Sequence, residues 1–110
     1  MPKAWPQKYS KYRAKPCRID GLSFASLKEG KRYLDLKLSE KAGEISHLLT
    51  QVSFPINVNG EKICTYRADF TYRTKDGKDI VEDCKGFATP VYKLKKKLLW
   101  AVCRIQITET

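Results

Sequence analysis

Two β-prone runs, "ICTYRADFTYRT" and "KDIVEDCKGF", flank Lys75-Asp76-Gly77, and the spacing predicts a hairpin there. Upstream, "CRIDGLSF" sets Asp20-Gly21 between short β-prone stretches, a second hairpin signal. Leu27, Leu34 and Leu38 fall on one side at helical spacing and Gly43 stands just beyond, so a helix is expected over residues 27–42. "EISHLLTQVSFPI" reads as a mostly buried strand ending near Pro55, and "VNGEK" as a turn. Thr89 as N-cap and Pro90 in the first turn open a second helix with an apolar stripe of Val91, Leu94, Leu98 and Val102. "RIQIT" closes the chain as an alternating strand. The expected order is hairpin, helix, three strands, helix, strand.

The central turn decides which side chains meet. A two-residue loop at Asp76-Gly77 would pair Asp69 with Cys84 and place Ala68, Phe70 and Tyr72 on one face with Val81, Asp83 and Lys85, burying charge. A three-residue loop with Gly77 left-handed moves every pairing by one. Asp69 then opposes Asp83, while Ala68, Phe70 and Tyr72 share a face with Ile80 and Cys84, and Arg67, Asp69, Asp83 and Lys85 gather on the other. Turn chemistry and patterning both favour this register. Glu82 is left pointing to the apolar side without a partner.

Facing carboxylates repel by roughly 0.5–1 kcal/mol, more where water is excluded, and a divalent cation reverses the sign. Mg²⁺ takes a few carboxylate and carbonyl oxygens plus waters, and Asp69, Asp83 and the backbone carbonyl of Cys84 supply such a set. Lys85, on the same face, is placed to help deprotonate a water and to stabilise a pentavalent phosphate. The competing reading keeps Asp69 and Asp83 as rim residues paired with Arg67, Arg73 and Lys85 on a solvated face.

Charge narrows the partners. With 22 Lys+Arg against 12 Asp+Glu in 110 residues, the net charge is +10, suited to DNA, RNA or anionic membrane. No segment has the apolar length of a membrane span and the start lacks the apolar run of a signal peptide, so the expectation is a soluble, cytoplasmic protein without a membrane partner. Cys17, Cys64, Cys84 and Cys103 are scattered and read as reduced thiols, and His47 is the only histidine, which excludes chemistry built on two. Residues 1–15, with Lys11, Arg13 and Lys15 among aromatics, read as a flexible basic arm, and residues 16–110 as a single domain. On the second helix Lys93, Lys96, Lys97 and Trp100 lie off the apolar stripe, suited to phosphates and a stacked base, or alternatively a solvated lysine face with Trp100 packed on a neighbour. Lys95 lies near the apolar side, within reach of the aspartates' face.

In "KYRAKPCRIDGLSFASLKEGKRY", "LLTQVSF", "YRADFTY", "VEDCKGF" and "YKLKKKLL" the chain resembles the PD-(D/E)XK nuclease superfamily, and within it small phage and prophage proteins of formerly unknown function. The resemblance implies an α/β (α+β) fold with a restriction-endonuclease-like core: a mixed central sheet flanked by two helices, with an N-terminal β-hairpin. It implies that Glu29, Asp69, Asp83 and Lys85 surround Mg²⁺, with Mn²⁺ as a substitute, and hydrolyse DNA phosphodiester bonds, in phages on branched recombination intermediates inside a bacterial host. No small-molecule cofactor is implied, and cutting both strands would require a homodimer. The pattern departs at Ala68, where the superfamily has proline, and at Gly30, which weakens the helix by about 1 kcal/mol beside Glu29. Ser26-Leu27-Lys28-Glu29 also matches a capping box, a structural role for Glu29. Gln51 looks like the glutamine that follows the first long strand in these proteins, or is simply a polar edge residue. Two rival expectations are a non-catalytic DNA- or RNA-binding module on the same fold and a basic ribosomal-RNA-associated protein.

Overall fold

Asp20 and Gly21 both take left-handed φ, 54° and 78°, and fold β1 (Cys17–Ile19) back onto β2 (Leu22–Phe24) as the tight hairpin the Asp-Gly pair predicts. This computed structural model describes residues 15–84 and 88–110; Lys11, Arg13 and Lys85 lie outside the described residues. Ser26 caps α1 (Leu27–Lys41) by accepting the Glu29 amide at 3.0 Å, and Gly43, with φ 79°, turns the chain away at the other end.

The buried face of α1 is not the expected one. Leu27, Leu34 and Leu38 are exposed, Leu38 by 67%, while Glu29, Gly30, Tyr33 and Leu36 face inward. Gly30 shows why. A Cβ there would lie 2.6 Å from Cys17 Sγ and 3.1 Å from Ile19 Cδ1, so the hairpin sits directly on the helix at the one residue lacking a side chain. Phe24 then stacks against Tyr33 with ring centroids 5.0 Å apart, and this contact sets the rotation of the helix.

β3 (Ile45–Val58), β4 (Glu61–Thr74), β5 (Asp79–Asp83) and β6 (Ile107–Glu109) form one four-stranded sheet in the order β3-β4-β5-β6. The first three are antiparallel and β6 runs parallel to β5. That parallel step needs a crossover, which α2 (Pro90–Leu98) and a π turn (Leu99–Cys103) provide. The protein is thus a mixed α+β fold, with a hairpin and two helices around a mixed sheet. β3 continues past Pro55 because it is an edge strand, where a missing N–H costs no ladder bond. Its edge position also leaves much of it exposed rather than mostly buried, and the turn shrinks to Asn59-Gly60.

Between β4 and β5 the three-residue loop forms as the turn residues require: the Gly77 amide donates to the Thr74 carbonyl at 3.0 Å, with Gly77 at φ 90°. Phe70 faces Glu82 and Tyr72 faces Ile80, so the next step sets Asp69 against Asp83. The expected apolar face of β4 is divided between two clusters. Ala68 and Phe70 belong to different cores: Ala68 joins Ile56, Tyr66, Tyr92 and Leu99 beneath α2, whereas Phe70 joins Phe24, Tyr33 and Leu36 beneath α1. The alternation itself holds, with Tyr66, Ala68 and Phe70 all buried, and the two clusters meet at Asp69, across from Gln51, whose φ is 54°.

The second helix is also rotated from expectation. Val91, Leu94 and Val102 are exposed, Val91 by 61%, and Tyr92 and Leu99 take the buried positions. Tyr92 brings a larger ring, and its hydroxyl finds a partner at the rim by donating to Glu109 at 2.6 Å. Among the described residues no helix is long and apolar enough to cross a membrane.

Candidate active site

Charge collects at Asp69, between the two clusters. Asp69 accepts the Cys84 amide at 2.9 Å and stands close to the Asp83 carboxyl. Asp83 is buried and also accepts the Tyr66 hydroxyl. Burial is the main reason the Asp69 carboxyl is pushed up to about 7; the charges of Glu29 and Asp83 push the same way, and the Cys84 amide opposes them. Burial of the phenol, then the bond to Asp83, pushes Tyr66 far above its usual range, so it stays a donor.

Glu29 arrives from α1. Its carboxylate accepts the Gln51 side-chain amide at 2.9 Å and also the Ala25 amide, so one residue both anchors the helix start and faces the aspartates. Burial raises its pKa and the Asp83 charge adds to this, against the two hydrogen bonds and Arg67. Acids from α1, β4 and β5 therefore lie near enough to feel one another's charge. Gln51 is more than a polar edge residue, because its left-handed backbone turns the amide into this cluster.

Two cavities, of about 380 Å³ and 360 Å³, open on either side of the acids and share Gln51, Arg67 and Asp69 as their common wall. The first reaches Asp83, Tyr66 and Lys95; the second reaches Glu29, Phe24 and Pro16. Lys95 lines the first with its ammonium donating to the Thr65 carbonyl at 2.9 Å. Exposed Lys15 precedes Pro16 at the far end of the second. The structure does not bring the other α2 cations to the acids. Lys96 pairs with Glu109 at 3.0 Å, Lys93 and Lys97 are exposed on the side away from Tyr92 and Leu99, and Trp100 carries the Arg104 guanidinium 5.1 Å above its ring.

Glu82, the residue without a partner in the sequence, has three bonds. Arg32 grips it through Nε and Nη2 at 2.6 and 2.9 Å, and the Tyr72 hydroxyl donates at 2.7 Å. The hydrogen bond to Glu82 holds Arg32 well above its ordinary range, and Tyr72 is pushed up to about 12, first by burial and then by the same carboxylate. Arg32 lies one turn beyond Glu29, and Glu82 adjoins Asp83, so this pair ties together the two elements that carry those acids.

Among the described residues no three His, Cys, Asp or Glu side chains gather closely enough to hold a metal as they stand. The donor set of the facing aspartates is two hard carboxylates, which suits a small divalent ion that keeps most of its waters. Arg67 and Lys95 stand on the rim of the same cavity, so the arrangement can accept a cation and an anion side by side. No curated protein and no solved structure matches the chain. A family model described as "Protein of unknown function (DUF1064)" matches residues 9–106, and the chain belongs to that family.

Proposed function

We propose that this protein is a Mg²⁺-dependent endodeoxyribonuclease of the PD-(D/E)XK kind, acting on DNA in the cytoplasm of a bacterial host and, in a phage setting, on branched intermediates of recombination. The observation that supports it most is the facing Asp69 and Asp83 on adjacent strands, joined by Glu29 and Gln51 and flanked by two cations. Asp69, Asp83 and the Cys84 carbonyl would hold Mg²⁺, or Mn²⁺ in its place. When bound, the ion offsets charge on the phosphate and raises the acidity of the attacking water. Asp69 must release its proton to serve, and the Cys84 amide favours the charged form. Gln51 orients Glu29 toward the pair, and Lys85, two residues beyond Asp83, is assigned the stabilisation of charge on the phosphate. A second copy would be needed to cut both strands.

The test is cleavage of supercoiled and branched DNA in Mg²⁺ or Mn²⁺. Wild type should nick the substrate, and Asp83→Ala should lose on the order of 10³-fold in rate, the scale of an electrostatic contribution of about 4 kcal/mol. Nicking retained in the variant would mean the activity comes from elsewhere. The alternative is a non-catalytic DNA- or RNA-binding module, favoured by one observation: the Tyr66 hydroxyl and the Cys84 amide already donate to the Asp83 and Asp69 carboxyls with no ion present. Tight DNA binding without cleavage in any metal would select that reading.

A further inference from the structure

A site that binds a polyanion through acids has to overcome its own repulsion. Glu29, Asp69 and Asp83 would push a phosphate away, so any strand that lies over them must be gripped from the sides. The cations lining the cavities beside them are Arg67 from β4 and, of the α2 lysines, Lys95. Arg67 is exposed on β4, forms part of both cavities, and among the described residues makes no hydrogen bond or ion pair. Its planar fork therefore keeps its donors for two oxygens of one phosphate. Lys95 is half-buried, reaches the other end of the first cavity, and uses a single donor on the Thr65 carbonyl, with no carboxylate within 4.0 Å among the described residues. Lys96 is occupied by Glu109, and Lys93 and Lys97 point away from the sheet.

We propose that a DNA strand crosses the aspartates along the line of the two adjoining cavities, from Lys95 past Arg67 toward the β1–β2 hairpin, with Arg67 and Lys95 each holding one backbone phosphate and Lys93 and Lys97 lying off the path. This rests on the nuclease reading for what happens at Asp69 and Asp83, but the track is a binding property and can be measured without cleavage. Each phosphate contact releases counterions, so a strand held this way has a definite dependence on salt. Because Arg67 is shared by both cavities, it grips next to the acids.

The experiment measures binding of the full chain to a fluorescent branched DNA, with Ca²⁺ replacing Mg²⁺ so that the substrate survives, over a series of KCl concentrations. Arg67→Gln and Lys95→Gln should each reduce the slope of log affinity against log salt by about 1, and Lys95→Arg should restore it. A Lys93→Gln/Lys97→Gln double variant should leave the slope at the wild-type value. The track is overturned if the double variant lowers the slope and the Arg67 and Lys95 variants do not, even where wild type cleaves DNA in Mg²⁺. If wild type cleaves nothing in Mg²⁺ or Mn²⁺ while the Arg67 and Lys95 slopes fall as stated, the nuclease reading fails and the track stands as a DNA-binding groove.

Discussion

Glu82 and Asp83 are neighbours in the chain, both buried in β5, yet each meets the cost of its position differently. Glu82 faces α1 and receives a two-point grip from Arg32 plus the Tyr72 hydroxyl, so its opposite charge is built into the fold. Asp83 faces Tyr66 and a second carboxyl, that of Asp69, whose nearest charged neighbours are other acids. The first arrangement is closed and structural. The second sets carboxyl against carboxyl with the Tyr66 hydroxyl and the Cys84 amide as donors, an arrangement a core avoids.

Breaking the closed side should cost most. Arg32→Ala leaves Glu82, at 0% exposure, as an uncompensated buried carboxylate, and the expected loss is about 3–5 kcal/mol in urea unfolding. Asp69→Asn removes a repelling charge and should be neutral or stabilising in the absence of metal. If both variants lost stability equally, the two regions would not differ as described.

A smaller effect comes from pH. The Asp69 pKa, about 7 in the fold, lies above its ordinary value of 3.8, so without metal the native state binds a proton that the unfolded chain has released. The stability it contributes is complete below about pH 4 and is lost as pH rises through about 7. After allowance for solvent around a half-buried carboxyl, the fall should be about 2 kcal/mol, and it should vanish in Asp69→Asn. A metal-free stability that rises over this window would contradict a protonated Asp69.

The ion itself should act in the opposite sense. At ten times its dissociation constant, Mg²⁺ should stabilise wild type by about 1.4 kcal/mol, a rise of several degrees in Tm for a domain of this size, and do little for Asp69→Asn. The effect should strengthen as pH rises through about 7, because the ion displaces the Asp69 proton. An equal rise in both proteins would remove Asp69 from the ligand set.

What the sequence revealed, and what it hid, divides along local and non-local physics. The register that opposes Asp69 to Asp83 was legible because Lys75-Asp76-Gly77 sets it within a few residues and the apolar pattern agrees. The helix faces were not. Leu27, Leu34 and Leu38 have helical spacing, but so do Glu29, Tyr33 and Leu36, and the choice between them is made by the hairpin sitting on Gly30. The same register put Arg67 on the aspartates' face, but its place on the wall of two cavities is set by α1, the β1–β2 hairpin and α2, which no periodicity announces. Glu82 looked unaccountable because its charged partner, Arg32, lies 50 residues away.

The finest test compares the two tyrosines. Tyr72→Phe deletes a donor to Glu82, with Arg32 still in place, and Tyr66→Phe deletes a donor to Asp83. Each should cost about 1 kcal/mol without metal, the usual net worth of a buried hydrogen bond. With millimolar Mg²⁺ the two should separate. The Tyr72 loss should stay unchanged because its carboxylate is already neutralised by Arg32, whereas part of the Tyr66 loss should be recovered, by a few tenths of a kcal/mol, because the ion takes over the stabilisation of Asp83. Thermal unfolding of both variants and wild type, with and without Mg²⁺, measures this double difference. A Tyr66 loss insensitive to Mg²⁺ would place the ion, if it binds at all, away from Asp83.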